Sequence, residues 1–276
     1  MVYRLSHIIS VGTSIIRNSY RLLKENPRLA PDSVMSALDK CVAVRPGSKE
    51  DYECYNLLSG FSELHGTILQ LLREDPRMMS AEINAMWPWL GKAEERPEYA
   101  EEAILLATET SLGALAGRIL KNYLSDRLPS ARVSLRTVPG WEENVMRGIV
   151  NLYLAARDEV RKLARMENTI VMMNATGGFK PEATFLVMAG LHYAPEKAFA
   201  YYIHELHRVH TVIPLVHPET KSFREAVKLV TRELQAQTGP KIRIPLTKLE
   251  RLEWLERYAK AVEPLGIARL TSDAVI

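Results

Sequence analysis

Apolar positions along the chain fall into two alternating rhythms. The run "YRLSHIISV" concentrates apolar residues over about residues 4–11 and predicts a short strand. After the polar turn Gly12-Thr13-Ser14, Ile15, Ile16, Tyr20 and Leu23 recur at helical spacing, and Thr13 or Ser14 can cap that helix. Residues 30–49, with Pro31, Pro46 and Gly47, read as a connection holding at most one short helix. Residues 50–74 read as one long helix, and 79–92 as a second helical stretch carrying Trp87 and Trp89. A strand at about 103–108 then meets the polar turn Thr108 to Ser111, and a helix runs on to about 125. "RVSLRTVPGW" is a strand ended by Pro139-Gly140, followed by a long helix over 142–166 and a strand over 168–173. A helix from Pro181 to about 190 and two strand-like runs, "KAFAYYIHEL" and "RVHTVIPLV", complete the series. Strands alternating with helices predict an α/β fold: a mostly parallel sheet with helices on both faces.

Past His217 the pattern changes. "SFREAVKLVTRELQAQ" and "TKLERLEWLERYAKAV" are charged amphipathic helices separated by Thr238-Gly239-Pro240 and the short run "KIRI". The expected organisation is a sheet domain over 1–217 and a mainly helical appendage over 218–276. The appendage reads as helices that cap the sheet or extend a dimer interface, with a small winged-helix-like module as the alternative. Its basic residues are balanced by glutamates, so DNA binding is not expected of it.

Composition excludes several classes. A net charge of +3 is too small for a surface that coats nucleic acid, so any nucleotide site must be a local pocket. Cys41 and Cys54 are the only cysteines and form no C-x-x-C, which argues against a disulfide scaffold or zinc ribbon and fits reduced thiols in a cytoplasm. No apolar run reaches the ~18 residues of a membrane span, and no signal-peptide pattern opens the sequence. A cytoplasmic protein without membrane contact is expected.

The stretch "NATGGFKPE", Asn174 to Glu182, carries the most specific chemistry. Gly177 and Gly178 permit left-handed backbone and close approach of another molecule. Lys180 falls where the next helix begins, beside amides that lack intrahelical partners and at the positive end of the helix dipole. Strand, glycine turn and lysine-bearing helix start together suit a phosphate. Neither the P-loop pattern nor the G-x-G-x-x-G fingerprint is present, which argues against ATP or NAD. In an open parallel sheet every strand-to-helix turn lies at the carboxyl edge. Gly12-Thr13-Ser14, Thr108 to Ser111, and Asn174 to Lys180 should therefore converge on one crevice.

"SVGTSII", "LLATETSLGALAGRIL", "TVPGW" and above all "NATGGFKPE" resemble the CRISPR-associated Rossmann-fold (CARF) proteins, over roughly residues 4–216. An aspartate is expected more often where Glu109 stands. The resemblance implies a Rossmann-like domain that binds a cyclic oligoadenylate, and a homodimer presenting the same loops twice around a near-twofold ring. It implies ligand contacts from Gly12, Thr13, Thr110, Ser111, Asn174, Thr176, Gly177, Gly178 and Phe179. No Arg-x4-His ribonuclease motif precedes any of the seven histidines, and Glu219-Thr220-Lys221 matches a nuclease E-x-K only by letter. The expected activity is therefore that of a ring nuclease, cleaving cyclic tetra-adenylate by in-line attack of a 2′-hydroxyl, with no metal and no cofactor. Lys180 and the neighbouring amides would stabilise phosphorane charge, and Ser14, or alternatively Thr13, would position the 2′-oxygen or the phosphate. A sensor or regulator that binds the ring without cutting it is the alternative. A nucleotide-cofactor enzyme is a third reading, disfavoured by the missing fingerprints.

Other candidates are weaker. His204, His207 and His210 recur every third residue, but "HELH" falls one residue short of the H-E-x-x-H zinc motif. They read as core, surface or turn residues. Trp87, Trp89 and "RMMS" read as packing, and so does Trp141, with stacking on an adenine as its alternative.

Overall fold

A computed structural model describes residues 4–141, 144–178, 180–195, 197–203 and 210–215. Six strands form one sheet: β1 (Arg4–Val11), β2 (Glu102–Thr108), β3 (Arg132–Val138), β4 (Thr169–Asn174), β5 (Ala198–Ile203) and β6 (His210–Pro214). Their order is β3-β2-β1-β4-β5-β6, all pairs parallel except the antiparallel β5–β6 edge. This is the expected α/β, Rossmann-like fold. The chain winds outward from β1 to β3, then returns to place β4 on the other side of β1. The switch in strand order thus falls between β1 and β4, where open α/β sheets bind ligands.

The central strands β1, β2 and β4 are buried on both faces and carry long apolar runs for that reason, whereas the edge strand β3 is mostly half-exposed and alternates polar with apolar residues. Leu5, Ile9 and Val11 of β1 and Ala103, Leu105 and Ala107 of β2 face one core; Ile8, Ile104 and Leu106 face the other. Against the second face pack α8 (Val145–Ala164) and α9 (Lys180–Tyr193). The first face is covered by α1 (Ser14–Glu25), α7 (Ser111–Arg127) and a helical insertion between α1 and β2.

That insertion holds α2 (Asp32–Cys41), α3 (Lys49–Ser59), α4 (Ser62–Glu74), α5 (Pro76–Met79) and α6 (Ala81–Ala93). The long helix expected over 50–74 is two helices, α3 and α4, because Gly60 and Phe61 leave the helical path between them. A glycine costs a helix interior about 1 kcal/mol, and here the chain turns there instead. The stretch expected over 79–92 is likewise divided, at Ser80, whose hydroxyl accepts the Ile83 amide and caps α6. The reading of reduced cysteines is corrected as well. Cys41 and Cys54 are disulfide-bonded and fully buried, with Cα atoms 5.6 Å apart, joining the end of α2 to α3. Their spacing gave no sign of this, because packing of α2 on α3 brings the two sulfurs together. The expected appendage over 218–276, with His204 and His207, lies outside the described residues.

Candidate functional site

A cavity of about 360 Å³ opens at the carboxyl edge of the sheet, at the switch between β1 and β4. Each strand-to-helix turn of the central sheet reaches it. Gly12, Thr13 and Ser14 come from the turn after β1, Thr108 and Thr110 from that after β2, and Trp141 from that after β3. Thr176, Gly177 and Gly178 come from the turn after β4. The insertion supplies a further wall, including Val44, Pro46, Asp51 and Glu82.

The first and last of these turns touch backbone to backbone. A Cβ on Gly12 would lie 2.5 Å from the Gly178 amide nitrogen, so no larger residue fits. Gly178 itself has φ +85°, in the left-handed region that glycine enters without strain. Ser10 clamps the same turn from below, its hydroxyl donating to the Gly177 carbonyl at 2.9 Å.

Two buried carboxylates fasten the insertion to the turns. Glu82, 1% exposed on α6, accepts from the Gly12 amide (2.7 Å), the Ser14 hydroxyl (3.0 Å) and the Ser80 hydroxyl (2.7 Å). Asp51 on α3 accepts from the Gly47 amide at 2.9 Å, the Ser111 amide at 3.1 Å and the Ser111 hydroxyl. Ser111 is thus buried and tied to the insertion, not among the cavity-lining residues. Glu109 closes the far side, accepting from the Gly140 amide at 2.5 Å and the Trp141 amide at 3.0 Å. A carboxylate in this position holds the "TVPGW" turn against the turn after β2.

Asn174 also lies behind the cavity. Its side chain donates to the Glu82 carbonyl at 2.9 Å and accepts the Thr176 amide at 3.1 Å, bracing the glycine turn from within. The Tyr201 hydroxyl meets Asn174 and lies 3.0 Å from Nδ1 of His7. His7 Nε2 faces the Tyr99 carbonyl at 3.1 Å; a carbonyl only accepts, so Nε2 carries the proton and Nδ1 accepts from Tyr201. Burial lowers His7 to about 4 and pushes the Tyr201 hydroxyl well up, so both are neutral near pH 7.

The structure therefore gathers Gly12, Thr13, Ser14, Thr110, Thr176, Gly177 and Gly178 around one cavity, with Asn174 and Ser111 behind its walls. Lys180 is the first residue of α9, where the helix start was expected, and Phe179 lies outside the described residues. Sequence reading missed Glu82, Asp51 and the insertion's part in the wall. The one local signal was Ser80 two residues before Glu82, a helix-start pattern that says nothing of what the carboxylate faces. Among the described residues no group of three or more His, Cys, Asp or Glu could hold a metal, and no helix is long and apolar enough to cross a membrane.

Residues 77–216, just over half of the chain, match the family model for CRISPR-associated protein (Cas_APE2256). The chain belongs to that family. The matched segment spans β2 to β6 and contains the turns after β2, β3 and β4 that border the cavity. Within this Cas_APE2256 chain, Gly12-Thr13-Ser14, Val44, Pro46 and Asp51 precede the matched segment, whereas Glu82 and the turns after β2, β3 and β4 fall inside it.

Proposed function

We propose that this CRISPR-associated protein binds cyclic tetra-adenylate and cleaves it, acting as a ring nuclease that ends the signal. The observation that carries the reading is the convergence of hydroxyl- and glycine-bearing turns on one cavity at the β1/β4 switch point. Such a cavity offers threonine hydroxyls and the amides at the start of α1, groups suited to phosphodiesters, and its glycine turn leads into α9, which begins at Lys180.

The chemistry asks for little beyond positioning. A ribonucleotide's 2′-hydroxyl lies beside its own phosphodiester, so holding 2′-O, phosphorus and 5′-O in line makes the attack intramolecular. The products are a linear chain with a 2′,3′-cyclic phosphate and a free 5′-hydroxyl. Lys180 and the glycine-turn amides would meet the charge that develops on the phosphorane.

At about 360 Å³ the cavity stands at the low end of small-molecule sites and is too small for a ring of four nucleotides. Two copies around a twofold axis would supply the remainder. Helices α8 and α9 follow cavity-forming turns and carry exposed Val145, Met146, Val150, Met188 and Leu191, an apolar surface for that pairing.

Incubation with radiolabelled cyclic tri-, tetra- and hexa-adenylate in EDTA tests the reading. Linear products from the tetramer support the nuclease. Tight binding without products supports a sensor instead, and absence of binding removes the reading altogether.

A further inference from the structure

The cavity contains a carboxylate to which the cleavage chemistry above gives no task. Glu82 comes from α6 in the insertion, borders the cavity, and is held by three donors. What it does to Ser14 follows from counting. A serine hydroxyl has one proton and two lone pairs. Ser14 donates its proton to Glu82 Oε2 at 3.0 Å and accepts the Ala81 amide at 3.2 Å. One lone pair remains, on a residue that lines the cavity. Ser14 is thereby set as an acceptor: it can receive an O–H, but has no proton to offer a phosphate oxygen.

We propose, resting on the nuclease reading, that Glu82 takes the proton of the attacking 2′-hydroxyl through Ser14. The 2′-hydroxyl proton passes to Ser14 Oγ as the proton already on Ser14 passes to Glu82 Oε2. The 2′-oxygen forms its bond to phosphorus, the bond from phosphorus to the 5′-oxygen breaks, and that oxygen takes a proton from solvent. Glu82 then returns its proton to water. Glu82 is thus a positioning residue that fixes the orientation of the Ser14 hydroxyl and terminates a two-step relay. The Gly12 amide and the Ser80 hydroxyl keep the carboxylate aimed while it waits.

Single-turnover cleavage of radiolabelled cyclic tetra-adenylate across pH, with binding measured in parallel, tests this. Glu82→Gln keeps the shape and an acceptor for the Gly12 amide. It should slow cleavage about 100-fold or more, the range of general-base contributions, leave affinity within about threefold, and abolish the acidic limb of the pH–rate profile. The Ser14→Ala/Glu82→Gln double variant should be no slower than the slower single one, since both act in one relay. Ser80→Ala serves where Glu82→Gln fails to fold: it removes a donor that aims the carboxylate and should lower the single-turnover rate at saturating ring while leaving affinity within about threefold. An unchanged rate and acidic limb in Glu82→Gln, or an unchanged saturating rate in Ser80→Ala, overturns the relay while leaving the nuclease intact. Rate and affinity falling together in Glu82→Gln with the limb retained overturns it in favour of simple support. A wild-type protein that binds the ring without cutting overturns both the relay and the nuclease reading.

Discussion

On the proposed nuclease reading, Lys180 and Ser14 are the residues at which catalysis can be told from binding. If the ammonium mainly meets charge arising in the transition state, Lys180→Ala slows cleavage on the order of 100-fold. Affinity then falls far less, and single-turnover rates at saturating ring compared with binding constants check the difference. An unchanged saturating rate would take the lysine off the catalytic list. Ser14→Ala should slow cleavage with even less loss of affinity, because its hydroxyl has no proton free for a phosphate. Much at this scale was legible in the chain. Glycine pairs and hydroxyls after apolar runs mark strand-to-helix turns, and a parallel sheet brings those turns to one edge. Glu82 was not legible, since its part depends on a helix packing back over β1 from about 70 residues away.

Among the elements, the insertion was the part that sequence resolved least. Its periodicity gave helices, but the breaks at Gly60 and Ser80 and the Cys41–Cys54 bond depend on how those helices fold over α1 and α7. Asp51 is the fastening between α3 and the start of α7, and is 5% exposed. Asp51→Ala leaves the Ser111 amide and the Gly47 amide without their acceptor. A buried donor so stranded costs about 1–3 kcal/mol. Thermal melting should therefore fall by several degrees, and ring affinity should weaken as the Val44–Pro46 wall loosens. A melting point equal to wild type would show that the insertion is held elsewhere. On the opposite face, Met188→Asp with Leu191→Asp should turn a dimer into a monomer by light scattering if α9 carries the pairing surface.

For the molecule as a whole, two buried histidines should make stability fall on acidification. His7 and His210 are both lowered to about 4, in each case first by burial. In the unfolded chain they titrate near 6.5, so between about pH 4 and 6.5 the unfolded state binds more protons. Stability is complete above pH 6.5 and is lost as pH falls through that window, by up to roughly 3 kcal/mol for each fully buried group. Urea unfolding at pH 7 and pH 5 should show the drop, and His7→Gln should flatten it. An equal slope in that variant would assign the acid sensitivity to other groups. The overall architecture was the most legible feature, because alternating strands and helices leave few topologies for a parallel sheet. The antiparallel direction of β6 was legible in the spacing, since the short stretch between β5 and β6 is too brief for the crossover that a parallel pair needs.

The cavity is stitched from contacts that are remote in sequence: Gly12 to Glu82, Asp51 to Ser111, Ser10 to Gly177. Local helices form in microseconds, whereas closing such long loops is slow, because their entropy is lost before the contact forms. During refolding from urea, helical circular dichroism should therefore return well before the ability to bind the ring. On a ribosome the interval is longer still. The turn after β1 emerges early and stays without its partner until β4 and the glycine turn have been made. A nascent chain truncated before Asn174 could assemble much of the insertion and β1 to β3, yet would have no crevice. Competence for the ligand is thus a late event in the life of each molecule, reached only when the second half of the sheet has docked against the first.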